Sequence, residues 1–139
     1  MKDNLKIGIE GNITITKIVK KVKEIIFDDH NTLGPDAAEI IVRSLSQVDF
    51  AKAVDGIKVS GVFGSLTSTI TSIVYNATEN SMTFRALFYE FDFSGTVTDM
   101  ELVSTTLSNK IMASKTALSI SKDGGSRLQI DWKLTVTLC

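Results

Sequence analysis

The chain ends in RLQIDWKLTVTLC, residues 127–139, where every second position is apolar. The positions between them are polar or charged, and the apolar ones are Leu128, Ile130, Trp132, Leu134, Val136 and Leu138. Alternation with a period of two is typical of a β-strand with one packed face and one wet face. The strand is long for a chain of 139 residues. Either its own domain covers the apolar face, or a neighbouring subunit covers part of it.

An earlier stretch, NITITKIVKKVKEIIFDD (residues 12–29), has two readings. The spacing of Ile18, Val22 and Ile26 is compatible with an amphipathic helix. The β-branched run ITIT favours strands instead. We therefore predict a β-hairpin that turns near Lys20 and Lys21, and we keep the helix as the alternative.

One helix is predicted, over residues 35–47, within GPDAAEIIVRSLSQV. Pro35 suits the first helical position, and Asp36 and Glu39 suit the first turn because negative charge complements the helix dipole there. The apolar residues at spacings of three and four are predicted to pack on a sheet; they are Ala38, Ile41, Val42 and Leu45.

From Val54 onward the patterns predict strands separated by turns rich in Gly and Asn, with a hairpin at KDGGS, residues 122–126. In SMTFRALFYEFDF, residues 81–93, the apolar face changes sides midway, which indicates either a bulge or a strand covered on both faces. No linker or repeat divides the chain. We predict a single domain over residues 1–139, mainly β: an antiparallel β sandwich of about eight strands with one α-helix.

Composition argues against several classes of function. The 15 basic and 16 acidic residues leave no basic footprint for nucleic acid. The single cysteine, Cys139, excludes an internal disulfide and a Cys-based zinc site, and leaves open a disulfide to another chain. No apolar run approaches the ~20 residues of a membrane span. The start, MKDNLKIGIEG, lacks the apolar core of a signal peptide, so we expect folding in a cytosol.

The sequence offers three candidate chemical sites, and each also has a structural reading. The only histidine, His30, stands in DDHN, but strand neighbours point to opposite faces and the segment also reads as a turn before the helix. Asp99 and Glu101 are two residues apart and fit a solvent-facing strand better than a glycosidase pair. The lysines at 17, 20, 21 and 23 fit a solvated hairpin tip better than a binding patch. We predict no enzyme, with no catalytic residues, cofactor or metal.

The aromatic stretch is the better candidate for an interaction. Four residues of one strand face are predicted to form a subunit interface: Leu87, Tyr89, Phe91 and Phe93. The alternative is that the aromatic residues of this stretch stack sugars or bases, although Arg85 is the only basic residue among them; they are Phe84, Phe88, Tyr89, Phe91 and Phe93.

The order of these pieces is similar to a β-rich structural domain of tailed-bacteriophage virion proteins, of the tail-fibre-like, baseplate, collar or decoration type. The resemblance covers residues 12–137 in order. It is carried by GNITITKI, HNTLGPDAAEII, the strand SMTFRALF, the stretch GTVTDMELVS, KIMASK and LQIDWKLTVTL. The matching positions look like Thr83, Phe84, Ala86, Phe88, Gly95, Glu101, Lys115 and Trp132. The chain has KVSGVFGS where a Gly-Thr-Gly run is common, and it lacks a long fibrous extension.

The resemblance implies a non-enzymatic structural subunit of a phage virion, made in the bacterial host cytoplasm. Its partners would be copies of itself in a homo-oligomer and other virion proteins, with no nucleic acid and no membrane. The alternative is a carbohydrate- or receptor-binding adhesin module. An adhesin needs an open aromatic ring face, so the exposure of Tyr75, Tyr89 and Trp132 helps to distinguish the two.

Overall fold

A computed structural model describes residues 7–46 and 54–138. Within these ranges the chain forms strands, one α-helix and a short 3-10 helix at Thr105–Leu107. The elements in chain order are β1 (Ile7–Val19), β2 (Val22–Leu33), α1 (Ala37–Ser46), β3 (Gly56–Gly61), β4 (Gly64–Thr69), β5 (Ser72–Asn76), β6 (Ser81–Phe88), β7 (Gly95–Ser104), β8 (Lys110–Lys115), β9 (Ile120–Lys122) and β10 (Arg127–Leu138).

The strands form one curled antiparallel sheet, in the order β4-β3-β7-β8-β2-β1-β10-β6-β5, with β9 added to β7. The mainly β class with one helix is therefore confirmed. The sandwich is not confirmed, because the two halves of the molecule are hydrogen-bonded to each other. Their link is short: β2 meets β8 only at Thr32 and Leu33, opposite Ser114 and Ala113. The curled sheet resembles a half-barrel more than two separate layers.

The predicted hairpin at residues 12–29 is confirmed, and the helical alternative is wrong. Val19 pairs with Val22, so Lys20 and Lys21 form a two-residue turn. The hairpin holds because Ile13 and Ile15 are fully buried on one face of β1. In a helix, residues two positions apart point in nearly opposite directions, so Ile13 and Ile15 could not share one buried face.

The alternating stretch at the C-terminal end of the chain forms β10, which lies between β1 and β6. Leu128, Ile130, Trp132 and Leu134 are buried, so the chain itself covers most of this strand's apolar face. Val136 is 41% exposed at the far end. Strand β10 is thus a central strand of the fold. Its length reflects the long pairing with β1, which runs from Ile7 opposite Leu138 to Ile18 opposite Arg127.

The helix differs from its prediction in two respects. It begins at Ala37, and Pro35 lies in the turn before it. Asp36 explains this start, because its carboxylate accepts a hydrogen bond from the Ile111 backbone N–H at 3.0 Å and ties the turn to β8. The prediction for residue 47 lies outside the described residues.

The apolar face of the helix is also shifted. Ala37 and Ile40 are buried and Ile41 is half-buried, whereas Ala38 and Val42 are exposed. The prediction that Ala38 and Val42 pack on the sheet was wrong, because the packed face is set by how the turn at Asp36 orients the helix. The side chain of Leu45 lies outside the described part.

Three predicted strand segments also come out differently. The stretch STITSIVY is split between β4 and β5, which lie at opposite ends of the sheet order. The stretch KIMASKTALSI is divided into β8 and β9, with Ala117 between them at a positive φ of 57°. KDGGS does not close a hairpin, because β9 pairs with β7 and not with β10.

Candidate functional site

The aromatic stretch does not form one strand, and this corrects the predicted strand face. Strand β6 ends at Phe88, and Tyr89, Phe91 and Phe93 lie in the loop that leads to β7. The strand stops because the Asp92 carboxylate accepts a hydrogen bond from the Tyr89 backbone N–H at 2.7 Å. The Asp92 N–H donates back to the Tyr89 carbonyl at 3.2 Å, which closes a turn. The change of apolar face in the sequence therefore marks the end of a strand.

A buried lysine holds this loop in place. Lys122 on β9 is only 2% exposed. Its Nζ donates to the backbone carbonyls of Glu90 and Phe93, both at 2.8 Å, and of Asp123 at 3.1 Å. The same Nζ lies 5.0 Å from the centre of the Phe93 ring. Burial lowers the pKa of Lys122, while nearby carboxylates act against that shift.

Arg127 makes a second connection to the same loop. Its Nε lies 2.7 Å from Glu90 Oε1, and its guanidinium lies 5.1 Å from the centre of the Tyr89 ring. The hydrogen bond from Arg127 is the main reason that the pKa of the Glu90 carboxyl lies below its ordinary value. The loop is therefore tied to the start of β10 as well as to β9.

The four predicted interface residues do not share one surface. Phe93 is buried, with its ring stacked on Phe63 at 4.4 Å and edge-on to Phe88 at 5.7 Å. Leu87 is half-buried on β6. Tyr89 is 46% exposed and Phe91 is 95% exposed. Their role as an interface stays a prediction, and the exposures favour Phe91 and Tyr89 as the residues that a partner would contact.

The turn between β3 and β4 contacts this aromatic loop. Phe63 of that turn stacks on Phe93, and its neighbour Val62 is fully exposed. We name the exposed part of the β6–β7 loop, formed by Tyr89 and Phe91, the apolar loop end. The contact between Phe63 and Phe93 could not be predicted from the sequence, because nothing in VSGVFGS indicates that this turn reaches the aromatic loop.

The stretch DDHN lies within β2, so its reading as a turn before the helix was wrong; its acidic side chains contact neighbours, and His30 is exposed. Asp29 accepts from Lys115 Nζ at 3.0 Å and from the His30 backbone N–H at 2.8 Å. The Lys115 hydrogen bond is the largest cause of the lowered pKa of Asp29. Asp28 accepts from the Asn12 amide at 2.7 Å. Within the described ranges, no three His, Cys, Asp or Glu side chains form a group that could hold a metal ion.

The carboxylates of β7 are likewise occupied. Thr98 Oγ1 donates to Asp99 at 2.8 Å, and Lys58 Nζ lies 3.7 Å from Glu101. Their neighbours Met100 and Leu102 are buried, as expected for alternation along a strand. The lysines of the hairpin tip are exposed at positions 20, 21 and 23, and Lys17 is half-buried.

An apolar cavity of about 780 Å³ opens near the start of β6, whereas the apolar loop end follows the last residue of that strand. Its walls include Ile9, Ile41, Tyr75, Met82, Leu134 and Val136, with Glu79 and Asn80 beside them. Glu79 is paired with Lys133. This cavity could not be predicted from the sequence, because its wall residues come from distant strands and from the helix.

Within the part of the chain that the structure describes, no helix has the length and apolar character needed to cross a membrane. Comparisons with protein-family models, with curated proteins and with solved structures find no match to this chain. The resemblance to phage virion domains therefore depends on the order of motifs alone.

Proposed function

We propose that this protein is a non-enzymatic structural subunit that assembles through the apolar loop end, and that its setting is a tailed-phage virion. The observation that carries the assembly role is Phe91, which is 95% exposed on a loop held by Lys122 and Arg127. The virion setting depends on the motif order of residues 12–137. Tail, collar, fibre base and capsid decoration all fit that order.

A held loop favours association for an energetic reason. Covering an exposed aromatic side chain contributes roughly 1.5–3 kcal/mol from burial of apolar area. A flexible loop would lose part of that gain on ordering, at about 0.5–1.5 kcal/mol per immobilised side chain. Lys122 donates three hydrogen bonds to carbonyls in and beside the loop. The loop is therefore ordered before a partner arrives, and less of the burial energy is lost.

The proposed partners are copies of this chain and other virion proteins. Closed symmetric assemblies are the common outcome of self-association. A subunit of this kind would be made in the host cytoplasm and would assemble by mass action.

The test is the mass of the purified chain by light scattering over a concentration series. We expect a discrete oligomer whose mass falls when Phe91→Ser removes the exposed ring. Val42→Ser is the matched control, because Val42 is 64% exposed on the outer face of α1, away from the loop end. A chain that is monomeric at every concentration, or one equally sensitive to both changes, would contradict self-assembly through this surface.

An adhesin module is the second candidate, favoured by one observation. Trp132 is fully buried, but Tyr75 is 64% exposed and lines the apolar cavity together with the polar side chains of Glu79 and Asn80. A stacking ring with polar neighbours suits a sugar. Binding on a glycan array that is lost in Tyr75→Ala would favour this role over the first.

A further inference from the structure

Two loops of the molecule lie at the same end of the sheet. Phe88, the last residue of β6, lies opposite Leu128 of β10, and Leu128 lies opposite Lys17 of β1. Lys17 in turn lies opposite Glu24 of β2. The β6–β7 loop and the turn of the β1–β2 hairpin therefore extend in the same direction beyond this line, about 14 Å apart at the usual strand spacing.

Both loops expose apolar side chains at this end. In the β6–β7 loop, Phe91 is 95% exposed. In the hairpin, Val19 and Val22 lie opposite each other beside the turn, and they are 39% and 69% exposed. Exposed apolar side chains that are surrounded by polar ones are typical of a surface that contacts a partner.

The same end carries positive charge that no carboxylate balances. Lys20, Lys21 and Lys23 are exposed, and none of them forms an ion pair within the described ranges. The acidic residue of the hairpin tip, Glu24, lies opposite a fourth lysine, Lys17. The whole chain has 15 basic and 16 acidic residues, so the remainder of the molecule has an excess of acidic groups. Charge is thus separated along the molecule, with the positive part at this end.

The residues outside the described ranges are attached too far away to cover this surface. Ile7 and Leu138 lie opposite each other, about 40 Å along β1 from the hairpin turn, whereas the six residues before Ile7 span about 20 Å when extended. Asp55, which follows the gap at 47–53 and Val54, is bonded to Val103, about 26 Å along β7 from the β6–β7 loop. On the other side of that gap, α1 lines the cavity near the start of β6. Seven residues held at both sides extend outward by about 14 Å at most.

We propose that this end, formed by Val19, Val22 and Phe91 with Lys20 and Lys21, docks on the surface of an anionic phospholipid bilayer. Lysine side chains near such a surface are attracted to its negative charge. Their ammonium groups stay with the phosphates while their aliphatic stems and the apolar side chains enter the boundary of headgroups and acyl chains, to a depth of about 5–10 Å. The acidic remainder of the molecule is repelled, so the molecule stands with this end towards the lipid.

Other partners are less complementary to this end. A second copy that met it across a two-fold axis would bring the lysines of both copies together, and like charges repel. The phosphates of nucleic acid would attract the lysines, but contact with phosphates would leave Val19 and Val22 in water. A lipid surface is the partner that satisfies both the charge and the apolar side chains.

Lipid docking goes beyond the proposed assembly role and departs from what the resemblance implies, which is no membrane. The first test is flotation of the purified chain with vesicles of equal parts phosphatidylcholine and phosphatidylglycerol, compared with vesicles of phosphatidylcholine alone. We expect binding to the mixed vesicles only. Lys20→Ser with Lys21→Ser should weaken that binding about thirtyfold, since each lysine near an anionic surface contributes about fivefold.

The matched control for charge is Lys110→Ser with Lys133→Ser. It removes the same charge from lysines that form ion pairs elsewhere in the molecule. Because charges farther from the surface than about 10 Å are screened, this change should alter the affinity for vesicles by less than about twofold. Equal loss of binding in the two double variants would contradict docking through the hairpin turn.

The second test separates lipid from a simple attraction to phosphate. Phe91→Ser and Val22→Ser keep the charge and should each weaken binding to mixed vesicles about tenfold, because each removes apolar area that lipid would cover. Val42→Ser on α1 should not. Phe91→Trp should move its fluorescence to shorter wavelength when mixed vesicles are added, and Val42→Trp should not. Binding to duplex DNA as tight as to vesicles, or vesicle binding that Phe91→Ser and Val22→Ser leave intact, would overturn lipid docking.

The two proposals fail in different ways. Binding to mixed vesicles by a chain that is monomeric in their absence supports lipid docking and contradicts self-assembly through the apolar loop end. A discrete oligomer that Phe91→Ser dissociates, without binding to vesicles, does the reverse. A chain that is monomeric at every concentration and does not bind vesicles overturns both.

Discussion

Gly11 leaves room for the hydrogen-bond partner of the core tryptophan, Trp132. It lies on β1 between Leu134 of β10 and Asn31 of β2. The Asn31 side chain extends over Gly11 and accepts a 2.9 Å hydrogen bond from Trp132 Nε1. A Cβ at position 11 would collide with that amide. The absence of a side chain therefore gives the buried indole N–H its acceptor.

We expect Gly11→Ala to destabilise the fold by about 1–3 kcal/mol, because the indole N–H loses its partner in a buried site. Denaturant unfolding followed by the fluorescence of Trp132, the only tryptophan, measures this directly. Gly124→Ala is the control, because a Cβ there meets only Ser94 Oγ at 3.9 Å. Equal stability of the two variants would mean that the Asn31 side chain shifts and keeps its hydrogen bond with the indole N–H.

Lys122 is the second residue with a large expected effect. Lys122→Met keeps much of the side-chain volume but removes the ammonium that donates to three carbonyls. We predict a loss of roughly 2–4 kcal/mol, since those carbonyls, one buried and two part-buried, lose their charged donor. The matched control is Lys58→Met, because Lys58 is half-buried and makes one ion pair, at 3.7 Å, with Glu101. A small change at Lys122 would show that water replaces the ammonium.

Among the elements, the β1–β2 hairpin has a turn that departs from the usual residue preferences. Its turn residues, Lys20 and Lys21, both have positive φ, at 49° and 70°. Two-residue hairpin turns with positive φ at both positions favour Asn-Gly, and an L-residue with a long side chain is strained there by about 1 kcal/mol or more. The pairing of Val19 with Val22 leaves only these two residues to form the turn.

Replacing the turn by Asn-Gly (Lys20→Asn with Lys21→Gly) should therefore stabilise the protein by about 1 kcal/mol. Thermal unfolding gives the comparison. The double change to alanine removes the same two charges but keeps side chains at positive φ, so it should bring no such gain. If both double variants gained equally, charge repulsion between the lysines and not backbone strain would be the cause.

For the whole molecule, the pairing of β1 with β10 brings the two ends of the described chain together. Ile7 lies opposite Leu138. A permuted chain in which a short Gly-Ser segment joins these two residues, opened between Lys20 and Lys21, should fold, because the new ends lie in an exposed turn. Far-UV circular dichroism and cooperative unfolding by Trp132 fluorescence test this. A permuted chain opened between Asp131 and Trp132 should not fold, since it interrupts the central strand. Equal folding of both would show that β10 need not be continuous.

The sequence by itself determined the local elements whose patterns are strong. Alternation over residues 127–138 identified β10, and the β-branched run at Ile13–Thr16 identified β1. The helix was located to within two residues at its start. These predictions succeeded because each depends on contacts between a strand or helix and the core, which leave a periodic trace in the sequence.

Only the tertiary structure decided how these pieces meet. Whether β9 pairs with β10 or β7, which face of α1 is packed, and which aromatic residue of the β6–β7 loop is buried all depend on contacts between residues distant in the chain. Lys122 illustrates the reason: its sequence neighbours resemble a surface turn, and its carbonyl partners Glu90 and Phe93 come from another loop. Phe91 and Phe93 have similar local sequence, and the difference between an exposed and a buried ring arises from packing against Phe63 and Phe88.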